Sequence, residues 1–221
     1  MSTRSLVRND PAGARLAGAL LVGGVIVFTV GAFWPVPIDY TGPVAGQYAD
    51  VENDPVMWLL SHVFYLVGIA LTTGGLYVLA TLFGAPRGRR LALAAVGVHA
   101  LAFAAFAAGT YYRVTLPGSG ATVPALFEAA MSGWLYATYL YLTLGAFAVL
   151  GAALVAGSTS RRLGWYAIGL SVAEIALFVA LGDLPPLLFY LVTLPIGVRL
   201  LRQAGRALKA EPADDGTARP T

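Results

Sequence analysis

Long uncharged stretches alternate with short arginine clusters along this chain, and that rhythm sets the first expectations. Crossing a hydrocarbon layer of about 30 Å takes about 20 apolar residues in helical form. Six stretches of that order occur, at about 12–34, 55–84, 91–112, 128–157, 163–182 and 186–201. The runs are continuous and do not alternate over about ten residues, which is a helical pattern and not that of a barrel strand. Asp10-Pro11 and Asp54-Pro55 each read as an N-cap followed by proline at the first helical position. The predicted fold is an all-α integral membrane protein, a bundle of six transmembrane helices in one domain over 1–209, followed by a short disordered cytoplasmic tail at 210–221. The first run outlasts the apolar part of a secretory signal and ends in Phe33-Trp34-Pro35 without a small-residue cleavage pattern, so it reads as a retained helix.

The charges orient the bundle. Arg4, Arg8 and Arg15 precede the first run, Arg87, Arg89 and Arg90 separate the second from the third, and Arg161 and Arg162 separate the fourth from the fifth. Arg199, Arg202, Arg206, Lys209 and Arg219 close the chain, so every basic residue except Arg113 falls on one side. Short cytoplasmic loops are enriched in Lys and Arg, which places both termini in the cytoplasm of a cell-membrane protein. Asp39, Asp50, Glu52, Asp54, Glu128 and Asp183 fall on the opposite side. The net charge of +3 therefore hides an inside-outside polarity and does not suggest a nucleic-acid partner. Trp34, Trp58 and Trp134 at one boundary and Trp165 at the other read as interfacial anchors.

Composition sharpens the picture: 58% of the residues are hydrophobic and 11% charged, against roughly 25% charged in soluble domains, and mean hydropathy is +0.74. There is no cysteine, which excludes a disulfide framework and cysteine-ligated metal centres. Small residues recur at helical spacing in Ala19 and Gly23, in Ala100, Ala104 and Ala108, and in Ala148, Ala152 and Ala156. Such ladders let helices approach closely in lipid, within one chain, between copies, or against another membrane protein. Arg89-Arg90-Leu91 with Ala95-Val96-Gly97-Val98 is echoed by Arg161-Arg162-Leu163 with Ala167-Ile168-Gly169-Leu170, at a constant offset of 72.

The sixth run is short, and Pro195 is expected to kink it. Arg199, Arg202, Arg206 and Lys209 then follow at spacings of three, four and three, on one helical face. They are expected to lie on anionic lipid headgroups, with arginines snorkelling.

Candidate chemistry rests on three ionisable residues inside the runs, His62, His99 and Glu174. At 1.5 Å per residue, Glu174 falls about 2 Å outward of the midplane, His99 about 4 Å inward, and His62 about 11 Å outward. An isolated carboxylate costs several kcal/mol in hydrocarbon, so Glu174 needs a partner or a wet cavity. His99 is the expected partner by depth, with Ser171 one turn before Glu174 able to bond the pair. Such a site suits proton-linked transport or sensing of a small solute. A structural contact within an accessory subunit of a membrane complex is the alternative.

Toward the outer side, His62, Tyr65, Tyr112, Arg113, Glu128 and Tyr136 gather as a possible pocket, with an Arg113–Glu128 ion pair expected across the connection. A lipid- or quinone-directed enzyme would use such a pocket, yet no nucleophile elbow, zincin, Walker or Rossmann pattern occurs. No catalytic residue is assigned. No metal or other cofactor is expected, and haem is disfavoured because two axial histidines must share one depth.

Overall fold

The computed structural model describes residues 10–34, 53–115, 134–157, 160–182 and 184–210. Six helices long and apolar enough to cross a membrane make up the fold, and no strand occurs among the described residues. The helices are α1 (Pro11–Phe33), α2 (Pro55–Thr81), α3 (Pro86–Thr115), α4 (Trp134–Ala156), α5 (Arg161–Leu181) and α6 (Thr193–Ala210), and the sixth span, Pro186–Lys209, joins a 3-10 helix, Pro186–Leu191, to α6. Asp10 accepts a hydrogen bond from the Gly13 N–H at 2.7 Å and Asp54 one from Met57 at 3.2 Å. Each acidic cap thus satisfies a backbone donor that a helix start leaves open. Ser160 caps α5 through Leu163. Gly182 ends α5 at a φ of +77°, a left-handed turn open to glycine without a Cβ clash.

Neighbours in sequence are neighbours in space. α1 packs on α2, α2 on α3, α3 on α4 and α4 on α5, while α6 returns to lie along α1. α5 and α6 meet only at a few points, and the 3-10 helix fills the space among α1, α4, α5 and α6. The centre is aromatic: Phe28, Tyr139, Phe147, Phe189 and Tyr190 are all buried, with the Phe28 and Tyr190 ring centroids 4.6 Å apart.

Glycines set the closest approaches. Where α1 crosses α2, a Cβ added to Gly68 would stand 2.8 Å from the Phe28 backbone nitrogen and 2.9 Å from the Gly24 carbonyl oxygen. Gly31 closes on Ser61, Gly24 on Gly68, and Gly75 on Leu21, so glycines seven residues apart on each helix line the crossing. Between α4 and α5, a Cβ on Gly151 or on Gly164 would meet the other's carbonyl oxygen at 2.6 Å. The four-residue ladders lie elsewhere. Ala19 is exposed and Gly23 has no neighbouring atom within 4 Å; Ala100, Ala104 and Ala108 are exposed on α3. Ala148, Ala152 and Ala156 are only partly covered, with Gly151 making the close α4–α5 contact in their place. In an all-apolar helix, backbone proximity selects the buried face, and hydropathy does not mark it.

The offset of 72 extends to burial. Ala92, Ala95, His99 and Ala102 are buried on α3, and Gly164, Ala167, Ser171 and Glu174 are buried on α5 at the corresponding positions.

The sixth run departs most from expectation. Its first part is 3-10, the chain changes pitch at Val192, and Pro195 lies in the first turn of α6, where a missing N–H costs little and no helix interior is kinked. The carbonyls that leave the regular ladder here are met by hydroxyls: Tyr136 donates to Leu184, Thr193 to Tyr190 at 3.3 Å, and Tyr166 to Leu191 at 2.9 Å. Irregular backbone among apolar side chains needs such partners, because an unpaired buried carbonyl is costly.

Candidate functional site

α5 contributes the acidic group. Gly164, Ala167, Ser171 and Glu174 follow at helical spacing and form its buried face, because the Gly151–Gly164 approach draws that face onto α4. Glu174 is 5% exposed and Ser171 0%. Neither carboxylate oxygen of Glu174 has a hydrogen-bond partner, nor has Ser171 Oγ, so the expected Ser171–Glu174 hydrogen bond does not form. Tyr166 lies two turns earlier on the same helix. Its hydroxyl sits on the Leu191 carbonyl, which directs this part of α5 toward the break before α6.

His99 lies in a different environment. Its Nδ1 is 2.8 Å from Thr73 Oγ1 on α2, and its ring stacks on Phe147 of α4 at 5.4 Å. Thr73 directs its one hydroxyl proton to the Ile69 carbonyl at 2.9 Å. The imidazole Nδ1–H therefore donates to Thr73, which leaves Nε2 as a fully buried acceptor without a hydrogen-bond partner. No hydrogen bond joins His99 to Glu174. The two lie on helices that both flank α4, and α2 supplies the partner expected from α5. Thr73 was legible only as one of several hydroxyls in the second run.

Of the residues read as an outer pocket, His62 is buried, and Tyr65 and Tyr136 are half-buried. His62 is 2% exposed, its Nδ1–H donates to the Trp58 carbonyl at 2.9 Å, and its ring lies 4.3 Å from the Trp58 ring. Trp58, expected at the interface, is thus buried, whereas Trp34, Trp134 and Trp165 are exposed. Tyr65 packs between Phe28 and Phe106 at 4.8 and 6.0 Å. Tyr136 borders a cleft, with Ala105, Phe106, Gly109 and Leu135, of about 10 Å³, room for one water. The side chains of Tyr112 and Arg113, and all of Glu128, lie outside the described residues, and with them the expected Arg113–Glu128 pair. His99 is level with Thr73, eleven residues along α2 from His62, a separation of roughly 16 Å at helical rise.

At the other end of the bundle, Arg202, Arg206 and Lys209 are exposed on one side of α6, with Arg199 half-buried nearer the core. The opposite side carries Ile196, Leu200 and Ala204, all buried. Arg15, Arg87, Arg89, Arg90, Arg161 and Arg162 are exposed at the same end. Among the described residues no group of three or more His, Asp or Glu converges as a metal site. Comparison of the chain with models of known families, with curated proteins and with solved structures finds no match.

Proposed function

We propose that the chain is a multi-pass protein of the cell membrane, with both termini in the cytoplasm, that acts in proton-linked transport or sensing of a small solute. Glu174 carries the reading: a carboxyl group buried in the middle of an apolar helix with neither oxygen hydrogen-bonded. Such a group is expensive to place in a bilayer and is kept there for a task. The interrupted helix that Tyr166 of the same α5 reaches supports the same reading, since broken helices in membranes border sites where ions or solutes are held. Ser171 is the second group of that site. His99, held by Thr73, is a separate polar position. The exposed basic face of α6 suits anionic headgroups, whose attraction to Lys or Arg is about 1 kcal/mol for each residue near the surface.

A second reading has its own observation. α3 presents Gly97, Ala100, Ala104 and Ala108 outward with no helix among the described residues covering them, a face suited to a subunit that docks a further membrane helix.

The test uses vesicles with a trapped pH dye, together with tryptophan emission of the purified protein across pH. The reading expects a proton flux or a pH-dependent emission change that Glu174→Gln removes while the variant stays folded. Wild type silent in both, or a folded Gln variant that behaves as wild type, overturns it.

A further inference from the structure

Arginines gather where the start of α3 meets the end of α4 and the start of α5. A Cβ added to Gly88, in the first turn of α3, would stand 2.9 Å from the Gly157 Cα just past α4. The Ser160 N–H then reaches back to the Leu154 carbonyl at 3.4 Å, which keeps the start of α5 beside that contact. Arg87, Arg89 and Arg90 on α3, and Arg161 and Arg162 on α5, are all exposed. The helices themselves do not call for these charges. Cations are favoured at helix C-termini and disfavoured at N-termini, where the helix dipole is already positive. Here α3 and α5 begin on arginines with no acidic residue in the first turn, while the last turns of α2 and α4 carry no basic one. Of the carboxylates among the described residues, Asp10 and Asp54 cap α1 and α2, and Glu174 is buried in α5. None of the five arginines has an ion-pair partner among the described residues. The enrichment of cytoplasmic loops in Lys and Arg accounts for the sign of the charge, but it does not require two basic segments to meet.

The next turn of each helix adds an independent observation. Leu93 follows Arg89 by four residues and Trp165 follows Arg161 by four, so each shares a helical face with its arginine. Both are exposed, Leu93 by 40% and Trp165 by 60%. The two pairs are related by the offset of 72. Each helix thus presents a guanidinium and then, one turn toward its apolar middle, an uncovered apolar side chain, which is the order of headgroup and chain in a phospholipid.

We propose that these two helix starts form a binding site for an anionic phospholipid carrying two phosphates, one held at Arg87, Arg89 and Arg90 and the other at Arg161 and Arg162. Guanidinium groups take phosphate oxygens through paired N–H donors, and clusters of about four to eight basic residues beside membrane helices recur at such headgroups. Two basic edges held together by the Gly88–Gly157 contact match two linked phosphates. The apolar flanks at Leu93 and Trp165 select a lipid over a soluble phosphate. The site rests on the reading of the chain as a membrane protein and is independent of Glu174.

Native mass spectrometry of the full-length protein in detergent, titrated with a diphosphatidylglycerol lipid, tests this. Wild type should bind that lipid saturably and about 10-fold more tightly than phosphatidylglycerol, with phosphatidylcholine weaker still. Arg89→Gln and Arg161→Gln should each weaken binding about 5-fold, and together about 25-fold. Arg15→Gln removes the same charge from an exposed position on α1 and should change binding by less than about 2-fold, because salt screens charges that do not touch the headgroup. Equal affinity for the one- and two-phosphate lipids overturns the proposal. So does a loss in Arg15→Gln equal to that in Arg161→Gln, which would show a diffuse field and no site. Displacement of the lipid by inorganic pyrophosphate at matching concentration overturns the choice of a lipid. Reconstitution into vesicles separates the two readings: a chain that does not insert overturns the membrane reading, whereas one that inserts without preferring the two-phosphate lipid overturns this site alone.

Discussion

Replacing Gly68 by alanine would drive a methyl group into the tightest crossing of α1 and α2. The new Cβ would lie 2.8 Å from the Phe28 backbone nitrogen and 2.9 Å from the Gly24 carbonyl oxygen, whereas ordinary contact begins at 3.4 Å. The helices must therefore part by roughly 0.6 Å, a gap that forfeits about a quarter of each dispersion contact along the seam. Overpacking of this kind costs about 1–3 kcal/mol, against which alanine regains about 1 kcal/mol of helix propensity. Gly97→Ala is the matched control: that glycine is exposed on α3 with no atom within 4 Å, so only the propensity gain remains. The two variants should shift thermal stability in opposite directions, separated by about 2 kcal/mol, or roughly 4–8 °C for a chain of this size. Thermal unfolding of both purified proteins in one detergent measures this. Gly68→Ala melting at or above Gly97→Ala would refute the argument that backbone contact, and not general apolarity, joins α1 to α2.

Other consequences are equally direct. Thr73→Val leaves the His99 Nδ1–H without its acceptor and should cost about 1–3 kcal/mol, well above Thr29→Val, whose hydroxyl bonds only its own helix at Val25. Equal melting of the two variants would contradict the assigned contact. Tyr166→Phe removes the hydroxyl on the Leu191 carbonyl and should speed amide exchange at 186–196 without changing it in α1 or α2; a uniform change would show that the hydroxyl does not hold the break. Because the chain has no cysteine, single cysteines report topology: Asn53→Cys should be labelled by an impermeant reagent on intact cells, and Arg206→Cys only after permeabilisation. The reverse pattern would invert the orientation.

Hydropathy and punctuation made the helices legible. The acidic caps at Asp10 and Asp54 form as the Asp-Pro pairs predict, and the limits of α1 and α5 differ by at most two residues from those read off the apolar runs. α3 begins at Pro86 and not at Leu91, because the arginines that end an apolar run are still good helix formers. The switch to 3-10 geometry at Pro186–Leu191 was hidden, since apolar composition is the same on either side of Val192. The depth of His99 and Glu174 follows from counting residues, but their angular positions depend on which face each helix buries. For α5 that choice is made by Gly151 and Gly164, whose importance appears only once the partner helix is in place. For the same reason Thr73, Tyr166 and the Leu191 carbonyl could not be assigned to their partners from spacing alone.

The central claim is that the buried Glu174 carboxyl exchanges its proton within the bilayer, and isotope-edited infrared difference spectroscopy reads that group directly. Spectra of the purified protein from about pH 5 to about pH 9, with Glu174→Gln to assign the band, cover the range in which a proton-linked protein operates. The account predicts a carboxyl band that changes intensity across this range in wild type and is missing from the Gln variant. A Glu174 band fixed in one state throughout would contradict it.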